Sequence, residues 1–298
     1  MSAHPAFAHC QARIQARYAA LPGDAEWQRL AGARTFSVFI EEARVGPLQP
    51  WVKGFSAVSR EHELDRGLRN VAADLVEEVS GWVPGHWQAA VLWFAWLPFL
   101  PVFEHLSQGA PPPDWMALDY RLGTLLDENG ALRADALERQ GLSPLLAAGE
   151  PGQVASRWAA TWRQRWPATD PMSRRRLDAF CAVIDTHLAA FRRAAPHSAW
   201  ELREALRERL RLTFHQRLLE PVTVFIYLAL VLLDLERLRA ELLRRCLFPH
   251  NLPAEAAAGC SDPPPHAGSR CCVRAPKACA PRPPWPAPGR WRSRCASG

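Results

Sequence analysis

EPVTVFIYLALVLLDLERLRAELLRRCLF, Glu220 to Phe248, holds two kinds of helix in one run. From Val222 to Leu233 it is apolar nearly all round. Further on, the apolar positions narrow to Val231, Leu235, Leu238, Leu242 and Cys246, at steps of three and four. A helix patterned this way is wrapped by protein at one end and half in water at the other. In its second half Glu236 can pair with Arg239, and Glu241 with Arg244 and Arg245, which adds a few tenths of a kcal/mol per pair. The twelve-residue apolar run is too short for a bilayer, which takes about 20 residues. The pattern predicts the central buried helix of a soluble bundle.

Working back from it, Ser198-Ala-Trp-Glu201 reads as a capping box opening a helix with Leu202, Leu206, Leu210, Phe214 and Leu218 inward. Ser173 caps another, with Leu177, Phe180, Ile184, Leu188 and Phe191 inward. Val154, Trp158, Trp162 and Trp166 form an i+4 ladder. Such a ladder could stack bases, but with Arg157, Arg163 and Arg165 covering the other side it reads as one packed helix face. Residues 111–150 are weakly patterned, with a linker at Pro111–Asp114, a turn at Asp127–Gly130 and a short helix over 133–140.

Val79 to Phe103 carries no formal charge, and Pro98 and Pro101 oppose a continuous spanning helix there. It predicts a buried helix ending near Leu97, the competing reading being a segment that touches a membrane. Ser59 opens the longest amphipathic pattern, Leu64, Leu68, Val71, Leu75, Val79 and Trp82. That helix should run about 23 residues, roughly 35 Å. Ahead of it come a helix carrying Phe7, Cys10, Ile14, Tyr18 and Leu21, a second capped by Asp24 with Trp27 and Leu30, and a third capped by Thr35 with Phe36, Phe39 and Ile40. No strand-like alternation of useful length occurs. The expectation is an all-α, multi-helix bundle in two or three lobes: an N-terminal lobe over 1–110, a linker over 111–150, a C-terminal bundle over 151–248 and a tail over 249–298.

The chain's net charge of +6 misleads, because residues 250–298 hold seven basic groups against two acidic ones and leave the body near neutral. A nucleic-acid reader would want a basic face on a folded element, and none is expected. Only Lys53 and Lys277 are Lys, against 34 Arg, a skew that reflects GC-rich coding better than phosphate recognition. The tail, rich in Pro, Cys and Arg and free of periodicity, reads as disordered. It is also what out-of-frame translation of GC-rich DNA would produce. Cys260, Cys271, Cys272 and Cys279 lack the paired knuckles of a structural zinc site. Cys10, Cys181 and Cys246 sit at apolar helix positions, as reduced core thiols do. With no leader pattern at the start, the body is expected in the cytoplasm, with at most peripheral membrane contact.

Catalysis finds few candidates. Glu61-His62-Glu63 and Glu104-His105 have the wrong spacing for Glu-x-x-His di-iron ligation, and Glu41-Glu42 is a solvated pair. His187 and His215 lie on helices where satisfied positions are the default. No H-E-x-x-H, G-x-S-x-G or phosphate-binding loop sequence occurs. The expectation is a chain that is not an enzyme and holds no cofactor or metal.

The order Glu220-Pro221, Tyr227-Leu228, Asp234 and Arg239 resembles the C-terminal signature of the subunit d/C family of rotary V- and A-type ATPases, in which an acid follows the aromatic by seven residues and an Arg follows that acid by five. Ala12-Arg-Ile-Gln-Ala-Arg17 and Glu63-Leu-x-x-x-Leu68-Arg69 look like that family's N-terminal lobe, so the resemblance spans most of 6–248. Tyr227 stands two residues further from the Glu-Pro than in the family, and the family's Asp-x-x-Asn-Leu segment is missing from WFAWLPFLPVF. The resemblance implies a funnel-like helical adaptor between a membrane c-ring and the central stalk, with those subunits as partners and no active site. Glu220, Pro221, Tyr227, Asp234 and Arg239 would position helices or the socket. The competing expectations are a generic cytoplasmic helical scaffold and, further off, an all-α enzyme with an apolar cavity.

Overall fold

The computed structural model describes residues 5–147, 152–195 and 198–248. All of them fall in one compact unit, so the three segments distinguished in the sequence pack on one another here. The Pro/Cys/Arg-rich tail beyond Phe248 lies outside the described residues, as do Cys260, Cys271, Cys272 and Cys279.

Four short helices lead in: α1 (Ala8–Ala19), α2 (Asp24–Ala31), α3 (Phe36–Ala43) and α4 (Gln49–Val52). The long α5 (Glu61–Ser80) follows, then α6 (Gln88–Leu92), a 3-10 run (Trp93–Phe99) and α7 (Leu100–Ser107). After 3-10 turns comes α8 (Ala134–Gln140), then α9 (Val154–Gln164), α10 (Pro171–Arg193), α11 (Ala199–Gln216) and α12 (Pro221–Leu247). Among the described residues the only strand-like pairing is the isolated bridge Leu126–Leu132, so the protein is all-α.

α12 is the axle. Pro221 sits at its first position, where a missing N–H costs nothing, and Glu220 is its extended N-cap. Every side chain from Val222 to Leu228 is buried, and the helix packs on α1, α3, α5, α10 and α11. Past Leu228 the burial narrows to Leu230, Val231, Asp234, Leu235, Leu238, Leu242 and Arg245. The stripe therefore ends on Arg245, three residues after Leu242, and the expected Cys246 is only half-buried.

Several helix starts differ from their sequence signals because the hydroxyl expected to cap is used elsewhere or a neighbouring residue takes the cap position. Thr35 does cap α3, taking the Val38 N–H at 3.3 Å. Ser59 instead accepts from Ser56 N in the preceding turn, and α5 starts at Glu61, where Glu63 reaches back to Arg60 N at 3.0 Å. The cap of α10 is Asp170, which accepts from Met172 N and Ser173 N, so Ser173 lies inside the helix. Ser198 donates backwards to Ala195 O, and the capping box at Glu201 is not made. Asp24 is the first residue of α2, capped by Gly23. Along α5 the buried stripe is Leu64, Leu68, Ala72, Val76 and Val79, leaving Val71 and Leu75 half-buried at its flank.

The uncharged run does not form one helix ending near Leu97. Pro98 lacks an N–H and its ring opposes the carbonyl four residues back, so the chain tightens into 3-10 geometry before resuming at α7, where Pro101 fits the first turn. Indole N–H groups and backbone carbonyls pair in both directions between this stretch and the Trp ladder. Trp162 Nε1 donates to Ala90 O at 3.1 Å, Trp93 Nε1 to Trp158 O at 3.1 Å and Trp158 Nε1 to Trp93 O at 3.4 Å. The ladder is thus a buried wall, with Phe94, Phe180 and Phe225 edge-on to Trp162. The segment Gly85–Ser107 is long and apolar enough to cross a membrane, and 56% of its most apolar stretch is buried in the fold. The described part of 111–150 is packed too, with Met116, Leu122, Leu125, Leu142 and Leu145 fully buried.

Replacing Trp162 by Phe keeps most of the ring contacts and removes the indole donor from Ala90 O. The expected loss is about 1–3 kcal/mol in urea unfolding; a change inside 0.5 kcal/mol would show the indole bond to be dispensable.

Candidate functional site

The residues singled out by sequence are strung along α12, with Glu220 and Arg239 roughly 28 Å apart at 1.5 Å per residue. They do not converge on one centre. Each meets a different helix. Glu220, near the positive end of α12, pairs with Arg176 of α10. Pro221 and Tyr227 are buried, and burial pushes the Tyr227 phenol well above its ordinary range. Asp234 faces Arg207 of α11, whose Nε lies 3.1 Å from Oδ1. Arg239, half-exposed, reaches Asp65 of α5.

Two buried arginines prove central, Arg245, which the sequence marked only as a pairing partner of Glu241, and Arg207, which it did not single out. Arg207 donates to Pro22 O at 2.9 Å and Asp24 Oδ1 at 3.1 Å as well as facing Asp234, so one guanidinium ties α11 to α12 and to the turn before α2. Arg245, 1% exposed, donates to Ala33 O at 2.8 Å and Leu30 O at 3.3 Å, pairs with Glu241 and stacks over Phe39 at 4.2 Å. It serves the Ala33 carbonyl just past the end of α2 and adds a second donor to Leu30 O, which already accepts from Ala33 N at 3.1 Å. The available signal for Arg245 was its register, since it continues the Leu238–Leu242 stripe. Arg207 gave less warning, being next to an inward Leu206 at a position that a long side chain fills by bending. Nearby, Arg237 is held between Trp27 and Trp200 at 4.5 and 4.9 Å.

A third guanidinium, Arg69 of α5, lies over Trp115 at 4.7 Å, pairs with Asp65 and reaches Asp119 at 3.4 Å. Asp119 is fully buried and also accepts from the backbone of Arg121 and Leu122. Asp65 thus stands between Arg69 and Arg239, joining the middle of α5 to the outer half of α12.

Asp234 is the electrostatically unusual member. It is 1% exposed and neither carboxylate oxygen receives a well-aligned hydrogen bond, the contact with Arg207 being close but poorly directed. Burial raises its pKa to about 7 against the opposing pull of Arg207 and Arg237. A cleft of about 210 Å³ opens beside it between Tyr18, Leu21, Pro22 and Arg211, but the carboxylate oxygens lie beneath its surface. Burial also pushes the Cys10 and Cys181 thiols up to about 12 and about 11, leaving them protonated at neutral pH. Among the described residues no three His, Cys, Asp or Glu gather at metal-binding distance.

Compared with known families, curated proteins and solved structures, the chain matches none. The functional reading therefore rests on the residues and their geometry.

Two expected outcomes follow from the buried charges. With a folded pKa near 7 and an unfolded one near 3.8, Asp234 carries more protons folded than unfolded across that interval, so stability rises as pH falls through it. Between pH 8 and 6 the gain should be of order 1 kcal/mol in wild type and absent in Asp234→Asn; parallel pH profiles from denaturant unfolding would contradict the assignment. Arg245→Leu should lose roughly 1–3 kcal/mol because the Ala33 carbonyl loses its side-chain donor, while Leu30 O keeps the Ala33 N–H. The adjacent Arg244→Leu should stay within about 0.5 kcal/mol, and equal losses would remove the distinction.

Proposed function

We propose that this chain is a non-catalytic helical adaptor that couples a membrane c-ring to the central stalk of a rotary V/A-type ATPase during ion transport. The observation that supports the reading is how the signature side chains are spent. Glu220 fastens α12 to α10, Asp234 to α11 and Arg239 to α5, while Tyr227 lies inside the seam. A body that transmits torque needs a shaft that does not slip against its neighbours. Charge pairs at three heights along one helix fix both its rotation and its axial register. Apolar burial alone fixes these less sharply, because it is non-directional.

Reconstitution with purified components tests this. The protein should bind the central-stalk subunits and the detergent-held c-ring of its own organism's rotary ATPase with a Kd of about 1 μM or tighter, and should co-sediment with the assembled complex. No binding to either component at tenfold higher concentration overturns the reading and leaves a helical scaffold with other partners.

A further inference from the structure

Apart from the adaptor reading, the body carries a groove of about 510 Å³ between α5, the Pro98–Val102 stretch, α10 and α12. Its lining includes Leu97 and Val102, Ile184 and Leu188, and Ala229 and Leu232. Hydrogen-bonding side chains in the lining are Asp65, Arg69, Trp115, His187, Glu236 and Arg239. Of these, Asp65, Arg69, Glu236 and Arg239 are already joined in ion pairs.

We propose that this groove binds the aliphatic chain of a single-chain lipid whose headgroup is uncharged or zwitterionic. Three features select that occupant. The aliphatic stretch of the lining has no hydrogen-bonding side chain, so whatever enters there must bring no polar atom with it, since an unpaired one costs on the order of 1–3 kcal/mol. The size is right for a chain and wrong for a partner helix. At about 30 Å³ per small group, 510 Å³ holds roughly 17 of them. A helix 10–12 Å across would fill the same space with about one turn. The charges of the lining are balanced, because Arg69 and Arg239 are matched by Asp65 and Glu236. They offer donors and acceptors to a neutral or zwitterionic head and no surplus cation to a carboxylate.

Calorimetric titration with 16-carbon lysophosphatidylcholine and with monopalmitoylglycerol, both below their micelle thresholds, tests the assignment, with native mass spectrometry for stoichiometry. The expected result is saturable one-to-one binding with a Kd in the low micromolar range. Binding should weaken at least tenfold in Ala229→Trp and in Leu188→Trp, which fill the groove from opposite walls, and should be unchanged in Leu212→Trp on an exposed face. Circular dichroism and thermal midpoint identify a variant that has not folded, and either filling variant alone suffices. Absence of saturable binding by the wild type, or undiminished binding by a folded filling variant, overturns the proposal. Palmitate bound as tightly as the neutral lipid overturns the headgroup assignment. A wild-type dimer in solution that Leu188→Trp dissociates, with no lipid taken up, overturns the proposal in favour of a second copy covering the groove.

Discussion

Burial of the first half of α12 constrains everything around it. Val222, Val224, Phe225, Ile226 and Leu228 point in all directions around the helix, and each is worth roughly 1.5–3 kcal/mol when removed from water. No arrangement with fewer than several surrounding elements can satisfy all of them, and the fold supplies α1, α3, α5, α10 and α11. Exposed ion pairs, at about 0–1 kcal/mol each, could not assemble such a shell. They act after burial has gathered the helices, choosing one register among the many that a smooth apolar surface would accept.

The choice of arginine for that task has a physical basis. Arg207 and Arg245 each serve carbonyl and carboxylate acceptors from more than one element, which the forked, planar guanidinium can do and a lysine ammonium on a flexible stem does poorly. Several others lie flat on rings: Arg165 over Trp93 at 4.0 Å, Arg69 over Trp115 and Arg237 over Trp27. In a chain with thirteen Trp and two Lys, these contacts give the Arg bias a structural use whatever its origin in coding sequence. Buried charges of this kind contribute little net stability but are costly to break, because removing one partner strands the other. That asymmetry makes them good fixers of geometry.

What could be read from sequence divides along the same line. Apolar periodicity gave the helices, the all-α class and the axle, because burial is read from which residues are apolar and where. It failed where a local competitor intervened. Ser59 and Ser198 look like caps, yet a turn amide and an upstream carbonyl take their hydroxyls. Pro98 and Pro101 read as an end to the helix, whereas a 3-10 run carries the path through Pro98 into α7, and the distant Trp ladder donates to carbonyls of Ala90 and Trp93 beside it. Arg245 was marked only by its register on the Leu238–Leu242 stripe and Arg207 hardly at all, because several of their partners are backbone oxygens, which every residue has and no sequence pattern marks. Glu220, Tyr227, Asp234 and Arg239 were visible as a spacing, but that each faces a different helix is a fact of packing.

The groove stands on the same logic of convergence. Single exposed aliphatic residues, such as Val45 or Leu118, are ordinary on any surface and point to nothing. The half-burial of Ile184 and Leu188 on α10 is another matter, since Leu177 and Phe180 of the same stripe are buried and the pattern demands no change at Ile184. On α12 the shaft loses full cover at Ala229, Leu232 and Leu233, which line the same cavity. Two helices that each break their own apolar pattern, at positions facing one shared space, leave a gap that the described residues do not fill. Gathered exposure of this kind distinguishes a site from incidental surface.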